Sequence, residues 1–187
     1  MARVPPLSVE GTAGRARELL NDQIASHGRA TNMKRTLAHA PAALDALMCW
    51  YDLHAEVVAA LGTRATTLFA FAISSQTNCL ICSTFFRRWL IDAGENPDAL
   101  ELTAREDALV EYGRGLARDA NAIPDDVFAV ATAGLSAAQV VALTAFGALM
   151  VATNLFNNAL KVDLDEYLFP FRGGQAGHSH LLEKEPR

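Results

Sequence analysis

Apolar positions recur at helical spacing in nearly every segment of the chain, and no segment shows the strict alternation of a half-buried strand. From Ser8 to about Ser26, the residues Ala16, Leu19, Leu20 and Ile24 fall on one side of an amphipathic helix, with His27-Gly28 as its stop. A short segment from Asn32 to Ala40 leads to Pro41, whose fixed φ and missing N–H suit the first position of a helix. Leu44, Leu47, Met48, Tyr51, Val57 and Val58 then make one broad apolar face, which predicts a single helix from Pro41 to Leu61, ended by Gly62. Thr63 to Ser74 is almost wholly apolar, as in a buried helix. A polar cluster follows, and the next helix runs to about Ala93, with Gly94 at its end.

Two capping boxes mark the later helices. In Thr103-Ala104-Arg105-Glu106 the threonine caps the first turn and the glutamate reaches back, predicting a helix to about Asp119. Pro124 opens a short helix that ends at Gly134, and Ser136-Ala137-Ala138-Gln139 opens the longest one, to about Leu160. Asp163 to Tyr167 adds a last turn. The expectation is an all-α, single-domain helical bundle of about seven or eight helices. A lead and amphipathic helix occupy 1–31, the main helical domain 32–169, and a mobile, glycine-rich tail 170–187.

Composition narrows the function classes. Half of the 187 residues are apolar and a fifth are charged, the ordinary range for a globular domain. The formal net charge is −5, with no basic patch, so no nucleic-acid partner is expected. Three cysteines, Cys49, Cys79 and Cys82, are too few for a disulfide-stapled secreted scaffold, and the first residues lack the apolar run of a signal peptide. A cytoplasmic location is expected. No membrane partner is expected either: Ser74 to Asn78 interrupt the uncharged run from Ala65 to Phe86, and Val140 to Thr153 falls short of the roughly 20 residues a span needs.

The candidate chemistry lies in Ser74-Ser75-Gln76-Thr77-Asn78-Cys79-Leu80-Ile81-Cys82. Asn78 or Thr77 can cap a helix beginning near Cys79, which sets both thiols in its first turn, where the helix dipole favours thiolate over thiol. A Cys-x-x-Cys dithiol can also close a disulfide, so the spacing is a redox signal. It equally supplies half a zinc site, but the scattered histidines offer no second pair of ligands, and no metal is expected. Cys49, between Met48 and Trp50, reads as core packing. His54 shares a helix face with Trp50 and is a candidate base if that face meets the dithiol helix. Asn154, Asn157 and Asn158 read as helix–helix hydrogen bonding, and Phe85, Phe86 and Trp89 as core or subunit contact.

Several blocks together resemble the carboxymuconolactone decarboxylase/alkylhydroperoxidase-like family, in its peroxidase-related branch with a Cys-x-x-Cys. They are Leu37-Ala38-His39-Ala40-Pro41, Cys79-Leu80-Ile81-Cys82, Thr103-Ala104-Arg105-Glu106, the run from Ala133 to Val141, and Asn154-Leu155-Phe156-Asn157-Asn158-Ala159-Leu160. The similarity spans roughly residues 32–167. It implies an all-helical fold assembled as a homo-oligomer, trimer or hexamer. It also implies a dithiol that reduces hydroperoxides or exchanges disulfides, with Cys82 attacking and Cys79 resolving. The partners would then be a small hydroperoxide or disulfide substrate and an external thiol reductant, with no bound cofactor. The family's motif carries a glutamate and a histidine as a proton relay, and here those positions are Thr67 and Phe86. The departure leaves open a second expectation, a non-catalytic oligomer that binds ligands or senses redox state.

Overall fold

Helix α5 (Thr63–Gln76) is the centre of the molecule, with every residue from Thr66 to Ser74 buried. The structure, a computed structural model, describes residues 1–173. Among these residues it has nine α-helices and no strand. Before α5 come α1 (Gly14–His27), α2 (Asn32–Leu37), α3 (Pro41–Met48) and α4 (Trp50–Leu61). After it come α6 (Leu80–Asp92), α7 (Ala104–Arg118), α8 (Asp125–Ala131) and α9 (Ala137–Leu160). A 3₁₀ segment, Glu166–Phe171, closes back onto α6.

The main core is made where α4, α6, α7 and α9 pack around α5, with Leu68, Phe69, Ile73, Leu109, Leu143 and Phe146 at its heart. A smaller cluster, Leu19, Leu20, Leu37 and Leu44, joins α1, α2 and α3. The helix α9 carries no charged residue and is long and apolar enough to cross a membrane by length and composition alone. Its buried positions, including Leu143, Phe146, Gly147 and Met150, belong to the main core, and the helix packs against α4, α5 and α7.

Both capping boxes form as the sequence predicts: Thr103 with Glu106 at α7, and Ser136 with Gln139 at α9. Gly28 takes the left-handed conformation (φ 76°) that ends α1.

Three expectations are corrected. The predicted helix from Pro41 to Leu61 is two helices broken at Cys49, so the apolar positions on either side of the break do not share one face. For the same reason Cys49 is exposed rather than packed in the core. Third, neither Thr77 nor Asn78 caps the dithiol helix. Asn78 (φ 53°) is instead the left-handed residue that stops α5, with the Cys79 N–H returning to the Ser74 carbonyl at 3.0 Å. That turn consumes the polar cluster, and Cys79 itself becomes the N-cap of α6. The glycine-rich tail lies, from residue 174 on, outside the described residues.

Candidate functional site

The turn between α5 and α6 is tied down by asparagines from the last turns of α9. Asn154 Nδ2 donates to Thr77 Oγ1 at 2.9 Å and to Ser74 Oγ at 3.4 Å. Asn158 Nδ2 donates to the Thr77 carbonyl at 2.8 Å. Between them Asn157 turns to the sulfurs, its Nδ2 lying 3.3 Å from Cys82 Sγ and 3.9 Å from Cys79 Sγ. The sequence reads these asparagines as helix–helix bonding, and all three do that, the third, Asn157, reaching Met33 Sδ of α2 at 3.5 Å as well as the sulfurs. The asparagine-rich end of the longest helix was the available signal for the third.

Cys79 and Cys82 are both free thiols and both buried. Each biases the other's proton, so the two thiols titrate as a pair. The bond from Cys82 pulls Cys79 below the usual thiol range, against the cost of burial, and the Cys82 and Ile81 backbone N–H groups face its sulfur and lower it further. No formal side-chain cap bond is made, so these N–H groups act through their dipoles. Cys82 is pushed well above the thiol range, first by its bond to Cys79 and then by burial, with the Asn157 amide opposing. Cys79 is therefore the thiol that ionises first, while Cys82 keeps its proton.

Cys82 lines a cavity of about 410 Å³, within the usual range of small-molecule sites, whereas Cys79 does not. The cavity wall includes Trp50 from α4, Met150 from α9, and Phe85, Phe86 and Trp89 from α6. The last three were read from sequence as core or subunit contact; they pack against the core and also wall the cavity. The wall also holds Lys34 from α2, Tyr51 from α4, Arg29, and Asp165 and Tyr167 from the closing segment. None of these five was legible as a site residue in the sequence, since burial of a lysine is visible only once α2 is packed.

The remaining candidates lie elsewhere. His54 stacks on Trp50 (4.6 Å between centroids, 14° between planes) but does not itself line the cavity, and its Nε2 is buried without a partner. Burial lowers its pKa, so it is neutral near pH 7. Thr67 is buried in α5 with its hydroxyl donated to the Thr63 carbonyl at 2.8 Å. Phe86 is buried beside Phe85 and Trp89. No three His, Cys, Asp or Glu side chains converge as a metal site among the described residues.

The order and packing of the helices are those of an all-α fold of the alkylhydroperoxidase type. One solved structure that supports this is described as an alkylhydroperoxidase AhpD core, an uncharacterized peroxidase-related protein from Ralstonia eutropha JMP134. It superposes with a TM-score of 0.67 over 90% of this chain and 94% of its own, at 18% sequence identity. At that identity the likeness is one of fold. No protein-family model matches the chain, and no curated protein does.

Proposed function

We propose that the chain is a dithiol oxidoreductase that reduces hydroperoxides or exchanges disulfides, with Cys82 as the attacking sulfur and Cys79 as the resolving one. It would work as a cytoplasmic homo-oligomer, recharged by an external thiol reductant and needing no bound cofactor. The observation that carries the reading is the placement of Cys82 on the cavity wall, with a second thiol, Cys79, beside it at the same Asn157 amide.

That arrangement also supplies what Thr67 and Phe86 cannot. Cys79, which ionises first, is once ionised itself the base for the Cys82 proton. On transfer, the Cys82 thiolate attacks the outer oxygen of a hydroperoxide, and the O–O bond breaks. The departing alkoxide takes the proton now on Cys79, leaving an alcohol and a sulfenic acid on Cys82. The Cys79 thiolate then displaces hydroxide from that sulfenic acid and closes the disulfide. Two electrons pass from the dithiol to the peroxide, and an external thiol returns them.

The test uses cumene hydroperoxide with dithiothreitol as the reductant. Oxidised wild type should hold an intramolecular Cys79–Cys82 disulfide. Cys82→Ser should lose turnover, and Cys79→Ser should accumulate a sulfenic acid that dimedone traps. Turnover that persists in Cys82→Ser would sink the assignment. A second reading, a non-catalytic binding or redox-sensing oligomer, draws on the proton-inert Phe86 in the cavity wall. Wild type that forms the disulfide under oxidant yet shows no peroxide or disulfide turnover would favour it.

A further inference from the structure

A buried ammonium group is costly unless it is paired, and the usual partner is a carboxylate. Lys34 is only 4% exposed, yet it forms no ion pair among the described residues. Its Nζ donates to Tyr51 Oη at 2.9 Å, which leaves two ammonium hydrogens unused. The Tyr51 hydroxyl proton likewise has no acceptor among the described residues, and the ring is held flat against His27 at 3.6 Å. Arg29, at the exposed rim, lies 4.0 Å over the Tyr167 ring and also has no ion pair. Arg88 lines the same cavity but is engaged by Asp92 at 3.0 Å.

Against three cations the wall offers one carboxylate, Asp165. Its Oδ1 accepts from the Asn32 N–H at 2.9 Å, its Oδ2 is buried without a hydrogen-bond partner, and it forms no ion pair with any of the three among the described residues. The wall thus carries three cations against one carboxylate, in a chain whose net charge is −5. Much of the remaining wall is aromatic and thioether, including Trp50, Phe85, Trp89, Met33, Met48 and Met150.

We infer that this cavity binds an apolar carboxylate, its anionic group taken by Lys34 Nζ and Tyr51 Oη with Arg29 at the rim, and its apolar body laid along the aromatic wall toward Cys82. A carboxylate presents two acceptor oxygens side by side, which suits an ammonium and a phenol already bonded to each other. For the identity of the reacting end the inference rests on the dithiol reading above. Taken with that reading, it names the substrate class as an apolar hydroperoxide or disulfide that carries a carboxylate. Burial holds Lys34 at about 8, so the ammonium is still present at neutral pH to receive the anion.

The experiment needs no turnover. Trp50 and Trp89 are the protein's two tryptophans and both line the cavity, so intrinsic fluorescence reports occupancy directly. Two probes share one skeleton, 4-phenylbutyrate and 4-phenylbutan-1-ol, and are titrated into the reduced protein at pH 7. The carboxylate should bind at least about tenfold more tightly than the alcohol, as expected for a charge-assisted pair. Lys34→Met should erase that preference while leaving the alcohol's affinity in place. Equal affinities in wild type would overturn the inference whether or not the variant folds, and so would a preference that survives Lys34→Met. Cumene hydroperoxide carries no carboxylate, so its turnover, measured in parallel, reads the dithiol alone. Turnover without carboxylate preference removes the carboxylate site and leaves the redox reading. Preference without turnover removes the redox reading and leaves the site.

Discussion

Asn157 is the side chain on which the reactivity of the dithiol turns most directly. Its amide N–H lies within reach of both sulfurs and favours the thiolate on either. A hydrogen bond to a charged group contributes roughly 1.5–3 kcal/mol, and about 1.4 kcal/mol is one pKa unit. Asn157→Leu, close in volume but without a donor, should therefore raise the first thiol pKa by about one unit. Asn157→Asp should raise it further by setting a like charge beside the pair. Alkylation rate against pH, with mass-spectrometric readout at each cysteine, measures this. An unchanged profile in Asn157→Leu would mean the amide only packs. Lys34 gives a second test with an opposite consequence for stability. Burial lowers its pKa from 10.5 to about 8, with Asp165 opposing. Below pH 8 the lysine is charged in both states, and the folded chain bears the desolvation cost. Between pH 8 and 10.5 the folded chain releases its proton before the unfolded chain does, so stability rises with pH across that window. Lys34→Met should be more stable than wild type at pH 7, by about 2 kcal/mol after allowing for solvent screening at the cavity mouth. The gap should close by pH 10.5, where wild type has shed the charge. Urea unfolding at several pH values reads both; a gap constant with pH would show that Lys34 carries no such strain. A residue kept against stability is the mark of a ligand site.

At the scale of elements, the sequence was most legible where local chemistry decides the outcome. Thr103 with Glu106 and Ser136 with Gln139 form their boxes because cap and partner lie within one turn and need no tertiary help. It was least legible where one apolar pattern fits two backbones. Leu44 through Val58 suit one long helix or two short ones, and only packing decides for a break at Cys49. The turn before the dithiol failed for a related reason. Asparagine is a good N-cap and also the commonest non-glycine residue in the left-handed region, and at Asn78 the second use won. The dithiol was legible as a motif, because its spacing carries the chemistry. The pinning of its turn by Asn154 and Asn158 and the cavity wall at Lys34 were not, since each joins elements far apart in the chain.

For the whole molecule, the outer face of α9 bears on the proposed homo-oligomer. Val141, Ala145, Ala148, Ala152, Leu155 and Ala159 follow one another at alternating steps of four and three, the 3.5-residue period of a left-handed helix–helix seam. Val141 is 67% and Leu155 58% exposed, and α9 carries no charge along its length. Monomeric soluble proteins rarely expose a contiguous apolar stripe of this kind, and its small residues permit close approach of a second helix. A second copy of the chain, laying the same stripe against this one, would cover it. Leu155→Glu places an unpaired charge within that contact. It should shift sedimentation at tens of micromolar from a trimer or hexamer toward the single chain, with far-UV circular dichroism unchanged, because the position is exposed within the protomer. The unfolding midpoint of wild type should rise with protein concentration and that of Leu155→Glu should not, since association stabilises only what associates. A wild type that sediments as a monomer would end the oligomer reading. If that monomer also floated with phosphatidylcholine vesicles, the stripe would face a bilayer, which the apolar length of α9 equally permits.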